Sequence, residues 1–426
     1  MDFLNATYLC GFLLEVYLLY KLEKRMWGTL YTPVILMMLP YTGILLLAIV
    51  SMEFVPKHEF YYPSILVWSL GLLCFEIPSI VLAKFYAGSR KIGEIPKNRL
   101  ISPIRYQIGR KYLYFNGFIC VLFILRFLQL RSSGLPIGSD EFGEQFATNG
   151  LGGHLNLLLI VLTISNILLL DRKKKYNKYL LLFVVIGISV SFLNQVKGWV
   201  LIPVLGGVIM RLKNHLLQLK IRLVVFVCLI GTFFFFMSYY VLLVLTRDAQ
   251  DTSFFIPFFL QHFIFYLTSG VLGFSEACIN HAFVTGDLVS AVSNFFYPVR
   301  AVTEILTGGL PPQSHGVFLD TGFGDSNVRT FFGDMYLRGG ILGGIFLSIF
   351  NGTVCYSALW LSKVKHALFI DAMYGFIAGI LLMSWFSSYT HLLNTYEVPI
   401  ICIILYLVRK YYRRFVLIKP SGRRLR

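Results

Sequence analysis

The chain has 426 residues, 57% of them hydrophobic and 14% charged, with a mean hydropathy of +0.71. A soluble domain carries about a quarter charged residues, so this composition excludes a soluble globular fold and points to a polytopic membrane protein. The net charge of +17 does not indicate nucleic acid, because the cations are divided among short segments and form no contiguous basic surface.

Each membrane span needs about 20 mostly apolar residues. Runs of that kind fall at 3–20, 29–52, 61–83, 112–130, 154–170, 179–194, 199–210, 223–245, 330–361, 367–390 and 395–408. The first carries Glu15 and lacks a basic leader, so it reads as a span and not as a cleavable signal. The pair at 179–194 and 199–210 is short and predicts a tight helical hairpin or a re-entrant element. Basic clusters lie at 21–25, 84–111, 172–178, 211–222, 363–365 and 409–426, and together hold 30 of the 38 Lys and Arg residues. They follow every second apolar run. By the positive-inside rule this predicts an all-α protein of about eleven transmembrane helices, N-terminus outside and C-terminus cytoplasmic.

The expected organisation is a first bundle of about eight spans (1–245), a large extracytoplasmic loop (246–329), three last spans (330–408) and a basic tail (409–426). The loop reverses the charge pattern. Its only cations are Arg247, Arg300 and Arg329, against Asp248, Asp251, Glu276, Asp287, Glu304, Asp320 and Asp325. It also holds the apolar run 255–274, expected as an interfacial or re-entrant helix, because a full crossing would require a second one to keep the later basic loops inside. The seven cysteines are scattered singly and form neither a disulfide framework nor a zinc spacing.

Eight cations lie off the cytoplasmic clusters. Arg126 and Arg131 flank a span end, where such side chains commonly snorkel to the headgroups, and Lys57 sits in a short loop. The remaining five are Lys197, Arg247, Arg300, Arg329 and Arg338. On the outer face, near the membrane plane, they suit an anion held at headgroup level, and guanidinium groups bind phosphate oxygens bidentately. A lipid-linked diphosphate has that position and charge, which assigns Lys197, Arg247, Arg300 and Arg329 to it.

Candidate bases are His315, Glu276, Asp320 and Asp325, all in the large loop. Asp334 and Arg338 have the i,i+4 spacing of an intrahelical ion pair. Gly339, Gly340, Gly343 and Gly344 give overlapping GxxxG spacings, which would admit a second helix at close range. Four acids, Glu15, Glu76, Asp371 and Glu397, fall inside apolar runs and would serve an ion-coupled transporter or flippase. No acidic pair in a short outer loop argues for a metal, since Glu53 and Glu59 are a poor match to that pattern.

Three stretches resemble the Wzy-type O-antigen and capsule polymerases, the oligosaccharide repeat-unit polymerases. "SNVRTFFGDMYLRGGILGG" (326–344) is similar to the family's Asn-x-x-Thr, aromatic run and Gly-x-x-Gly entering a span. "FYLTSGVLGF" (265–274) is similar to its Tyr-x-x-small-Gly segment, and "NQVKGWVL" (194–201) stands where Ser-Arg-Gly is usual. Lys197 replaces the expected arginine, and Arg338 stands where an acid often precedes the glycine.

The resemblance implies a GT-C-like glycan polymerase or ligase architecture in a bacterial cytoplasmic (inner) membrane. The implied activity is polymerisation of polyprenyl-diphosphate-linked oligosaccharides on the outer face, without metal or other cofactor. The implied partners are the lipid-linked oligosaccharide, membrane lipid, a chain-length regulator and a flippase. O-antigen ligase and other polyprenol-dependent glycosyltransferases are the enzymatic alternatives, and a polysaccharide flippase or transporter is the non-enzymatic one.

Overall fold

The computed structural model describes residues 3–55, 58–92, 106–137, 139–148, 150–171, 175–193, 197–218, 255–280, 306–308, 318–411 and 416–418, with short pieces between 220 and 237. Among them the chain is helical nearly throughout. The long helices are α1 (Phe3–Trp27), α2 (Pro33–Met52), α3 (Ser64–Ile92), α4 (Arg110–Ser132), α6 (Gly150–Leu169), α7 (Asn177–Leu193) and α8 (Lys197–Lys213). They continue with α9 (Phe255–Ile279), α10 (Phe331–Lys365), α11 (Leu368–Leu382) and α12 (Leu393–Tyr411). A single turn, α5 (Asp140–Gly143), runs into a π-helical turn at Glu144–Thr148.

Two small antiparallel pairs complete the elements. β1 (Tyr106–Ile108) pairs with β4 (Val416–Ile418), and β2 (Leu319–Asp320) pairs with β3 (Asp325–Ser326). Seven of the described helices are long and apolar enough to cross a membrane. Their outward faces carry Leu14, Leu18, Val81, Phe118 and Leu125 in the open, a surface that water would penalise and lipid would not. The protein is an all-α, multi-pass membrane protein.

The 255–274 run lies within one continuous 25-residue helix, α9, which by length and composition is among the seven. The expected interfacial or re-entrant helix is thus long enough for a complete crossing. The 223–245 run falls mostly outside the described residues.

The chain forms two compact units that interleave along the sequence. The first comprises Met1–Lys91, Leu229–Ser357 and Leu381–Thr395. Its core is aromatic: Tyr41 stacks on Trp68 with ring centroids 3.6 Å apart, Phe12 packs edge-on to both, and Phe332 packs on Trp68 and Phe75.

Within this unit α10 is not one rod. Gly340 has φ 61° and ψ −168°, a conformation open to glycine alone, and the helix breaks there. Tyr336 lies against Gly344, and Met335 Sδ sits 4.0 Å from Ser348 Oγ. In a straight helix residues thirteen apart would be separated by about 20 Å. The two arms therefore fold back on each other as a hairpin. Of the four glycines expected to admit a second helix, Gly340 makes the break and Gly344 seats Tyr336 of the helix's own first arm.

The second unit comprises Ile92–Cys228, Ala358–Ile380 and Tyr396–Arg426. Its centre is α6, buried from Asn156 to Leu169 and packed on α4, α7 and α8. The short pair of apolar runs is a pair of helices, α7 and α8, packed on one another. Three polar side chains in this interior are matched to one another. Tyr112 Oη donates to Asn166 Oδ1 at 2.7 Å, Asn166 Nδ2 to Asn116 Oδ1 at 2.9 Å, and Asn116 Nδ2 to the Tyr112 carbonyl at 3.0 Å. Arg211 donates to the Ile167 and Leu170 carbonyls at the α6 C-terminus, where orphan carbonyls need donors.

Asp371 is fully buried and accepts from Tyr106 Oη, Ser362 Oγ and Asn214 Nδ2. Lys213 Nζ donates to the same Ser362 hydroxyl at 2.8 Å. Asp371→Ala should therefore lower unfolding stability by about 3–5 kcal/mol, because it strips a buried polar network of its charge. Thermal unfolding of the detergent-solubilised protein checks this.

Candidate functional site

The sequence-derived residues are partly brought together. In the first unit three segments far apart in the chain converge: the 53–63 connection between α2 and α3, the C-terminal end of α9, and the β2–β3 hairpin. Tyr61 N–H donates to Ser275 Oγ at 2.8 Å, which ties the connection to α9. The hairpin turn is closed by Asp320 Oδ1, which accepts Gly322 N–H at 2.8 Å, and by Thr321, whose hydroxyl donates to the Gly324 carbonyl at 2.7 Å. Gly322 then lies against Val55 and the His58 ring.

His58 stands where the three segments meet. Its Nδ1 is 3.5 Å from Glu276 Oε1, and its Nε2 is 3.8 Å from Asp320 Oδ2. One ring nitrogen thus faces one acid and the other nitrogen a second. A ring held between two carboxylates in this way has the donor and acceptor groups of a proton-transfer site. Two of the four candidate bases, Glu276 and Asp320, are joined in this way through a histidine that sequence reasoning passed over. Asp325 is paired with Asp320 across the hairpin and is exposed. His315 lies outside the described residues.

Arg329 follows the hairpin directly and is only 5% exposed. Its Nη1 donates to the carbonyls of Ser326 at 2.9 Å and Val328 at 2.8 Å. Burial pulls the guanidinium down from its usual range, and Asp334 acts in the opposite direction. Asp334 sits in the first turn of α10 and accepts from Ser387 Oγ at 3.2 Å and Ser388 N–H at 3.1 Å. Arg338 is half-buried just before the Gly340 bend. Of the other cations assigned to a diphosphate, Lys197 opens α8, in the second unit, and Arg247 and Arg300 lie outside the described residues.

The stretches 265–274 and 326–344 pack on one another. Ser326 Oγ donates to the Ser269 carbonyl at 3.2 Å, and Phe274 lies against Gly333. A side chain at Gly273 would begin 2.7 Å from the Val328 carbonyl and 2.8 Å from Arg329 Nη1, so only glycine lets the arginine loop approach α9 this closely. The sequence profile of DUF6337, a family of unknown function, matches residues 56–415. The chain belongs to the DUF6337 family. Neither a curated protein nor a solved structure matches it. The DUF6337 match takes in Glu276, Asp320, Arg329 and the α10 hairpin, and it begins two positions before His58.

Among the described residues no group of three or more His, Cys, Asp or Glu side chains is arranged to hold a metal ion. What the site offers is a partly exposed imidazole between two carboxylates, with a buried guanidinium on the segment that follows the same hairpin.

Proposed function

We propose that this DUF6337 chain is a membrane glycosyltransferase that polymerises polyprenyl-diphosphate-linked oligosaccharide repeat units into an O-antigen or capsule polysaccharide. The observation that carries this reading is the Glu276–His58–Asp320 cluster. The positive-inside pattern independently assigns both its parent segments, 53–60 and 246–329, to the outer face of an arrangement of about eleven spans. The packing of 265–274 on 326–344, the two longest stretches that resemble repeat-unit polymerases, also supports it.

In the reaction His58, held by one of its two acids, takes the proton of the acceptor sugar hydroxyl. The oxygen attacks the anomeric carbon of the growing chain, the bond from that carbon to the diphosphate oxygen breaks, and the polyprenyl diphosphate leaves. A diphosphate leaves readily once its charge is balanced, so Arg329, with Arg247 and Arg300 of the same loop, serves as the electrostatic component. The aromatic face of α9, with Phe259 and Phe263 against Phe236, suits an isoprenoid chain. The cell inner membrane of a bacterium is the corresponding location, and a flippase and chain-length regulator are the corresponding partners.

The test is the full chain in liposomes with a purified lipid-linked repeat unit. A ladder of products on a gel, each one repeat longer, is expected. Transfer to lipid A core without elongation would make it a ligase, and transbilayer movement without a new bond would make it a flippase.

A further inference from the structure

A second cluster in the first unit lies at the C-terminal end of α1, where α1, α2, α3 and α10 meet around two carboxyl groups. Glu23 of α1 is 0% exposed and Glu76 of α3 is 3% exposed, and the two side chains lie within hydrogen-bonding reach of each other. Ser79 Oγ donates to Glu23 Oε1 at 2.6 Å and receives Trp27 Nε1–H at 2.9 Å. Tyr356 Oη donates to Glu76 Oε2 at 2.9 Å and receives Val34 N–H at 3.4 Å. Among the described residues Glu23 Oε2 and Glu76 Oε1 are buried without a hydrogen-bond partner.

Two ionised carboxylates in an apolar interior would be costly beyond any packing gain, and like charges in contact do not both ionise. Among the described residues the charged groups nearby do not compensate them. Lys21, Lys24 and Arg25 lie on the exposed face of α1, and Lys84 on the exposed face of α3. The further titratable groups at this junction are Tyr86, stacked on Trp27, and buried Cys355 of α10, neither of which supplies positive charge.

Something positive must therefore be held against this pair of carboxyl groups. A metal cation would need lone pairs turned inward. Here Ser79, Tyr356 and Trp27 aim hydrogens along the two chains that end on the carboxyl groups. That is the arrangement expected around a single residual negative charge.

We propose that Glu23 and Glu76 form a proton-binding pair, in which one proton is shared between Glu23 Oε2 and Glu76 Oε1 and pins the junction of α1, α3 and α10. No bond other than that to the proton forms or breaks. The shared proton holds this junction independently of the chemistry at His58.

The test uses the full-length protein in detergent. Infrared difference spectra at neutral pH should show a carboxylic-acid carbonyl band that shifts in deuterium oxide and is missing from Glu23→Gln and from Glu76→Gln. Tyr356→Phe, which removes one donor and no charge, should keep the band and shift it, and this measurement decides the matter if the glutamine variants do not accumulate. A band unchanged in all three variants overturns the proposal. A sodium- or potassium-dependent rise in the thermal midpoint that Glu76→Gln abolishes overturns it in favour of an alkali cation.

Discussion

His58→Ala is expected to reduce polymer synthesis about 10²–10⁴-fold while leaving the protein folded in the membrane, the loss characteristic of removing a general base. The expectation rests on position: His58 lies 3.5 Å from Glu276 and 3.8 Å from Asp320. The two acids should differ. The Glu276 side chain is 15% exposed and that of Asp320 66%, so Glu276 acts on the ring through a less aqueous medium, where a charge pair is stronger. Glu276→Gln should therefore cost more rate than Asp320→Asn, and the latter pair should weaken further with salt. Initial rates in liposomes, normalised to folded protein, give the ranking. Wild-type rates from His58→Ala, with the midpoint unchanged, would remove the cluster from the chemistry.

The features visible in advance were those that repeat along the chain. Apolar runs and basic clusters are periodic signals, and most of the described helices coincide with them because lipid demands about 20 apolar residues per crossing wherever it occurs. Glu276 and Asp320 were visible because acids are rare in so apolar a chain. His58 was not: it is one histidine in a short connection, and its partners come from segments joined only by tertiary packing. The signal that existed was the 53–60 connection itself, which puts two acids, a lysine and a histidine between two spans.

The glycine stretch was misread for a related reason. GxxxG spacing is the same whether the small residues admit another helix or the helix's own other arm. Only the backbone at Gly340 decides between them. Two of the four scattered acids are held by partners that the sequence alone did not show. Asp371 is held by three donors and Glu397 pairs with His154.

That hairpin yields the second large effect. Gly340→Ala should cost roughly 1–3 kcal/mol, since φ 61° with ψ −168° is a region that any side chain resists. Gly340→Val should cost more, as a β-branched residue is still less tolerant there. The consequence extends beyond stability. The first arm of α10 begins at Phe331, whose N–H donates to the Ser384 carbonyl at 2.7 Å, and it carries Asp334 on the Ser387–Ser388 turn. Straightening the bend would withdraw that arm from Gly344 and pull on Arg329, two residues before it. Activity should thus fall further than the thermal midpoint alone accounts for. Gly43→Ala is the matched control: it lies mid-helix in α2 with nothing within 4 Å of a new Cβ, so it should be neutral or stabilise by up to about 1 kcal/mol. If Gly340→Ala and Gly43→Ala gave the same midpoint and the same polymer yield, the bend would be incidental, and α10 would have to be treated as an ordinary span.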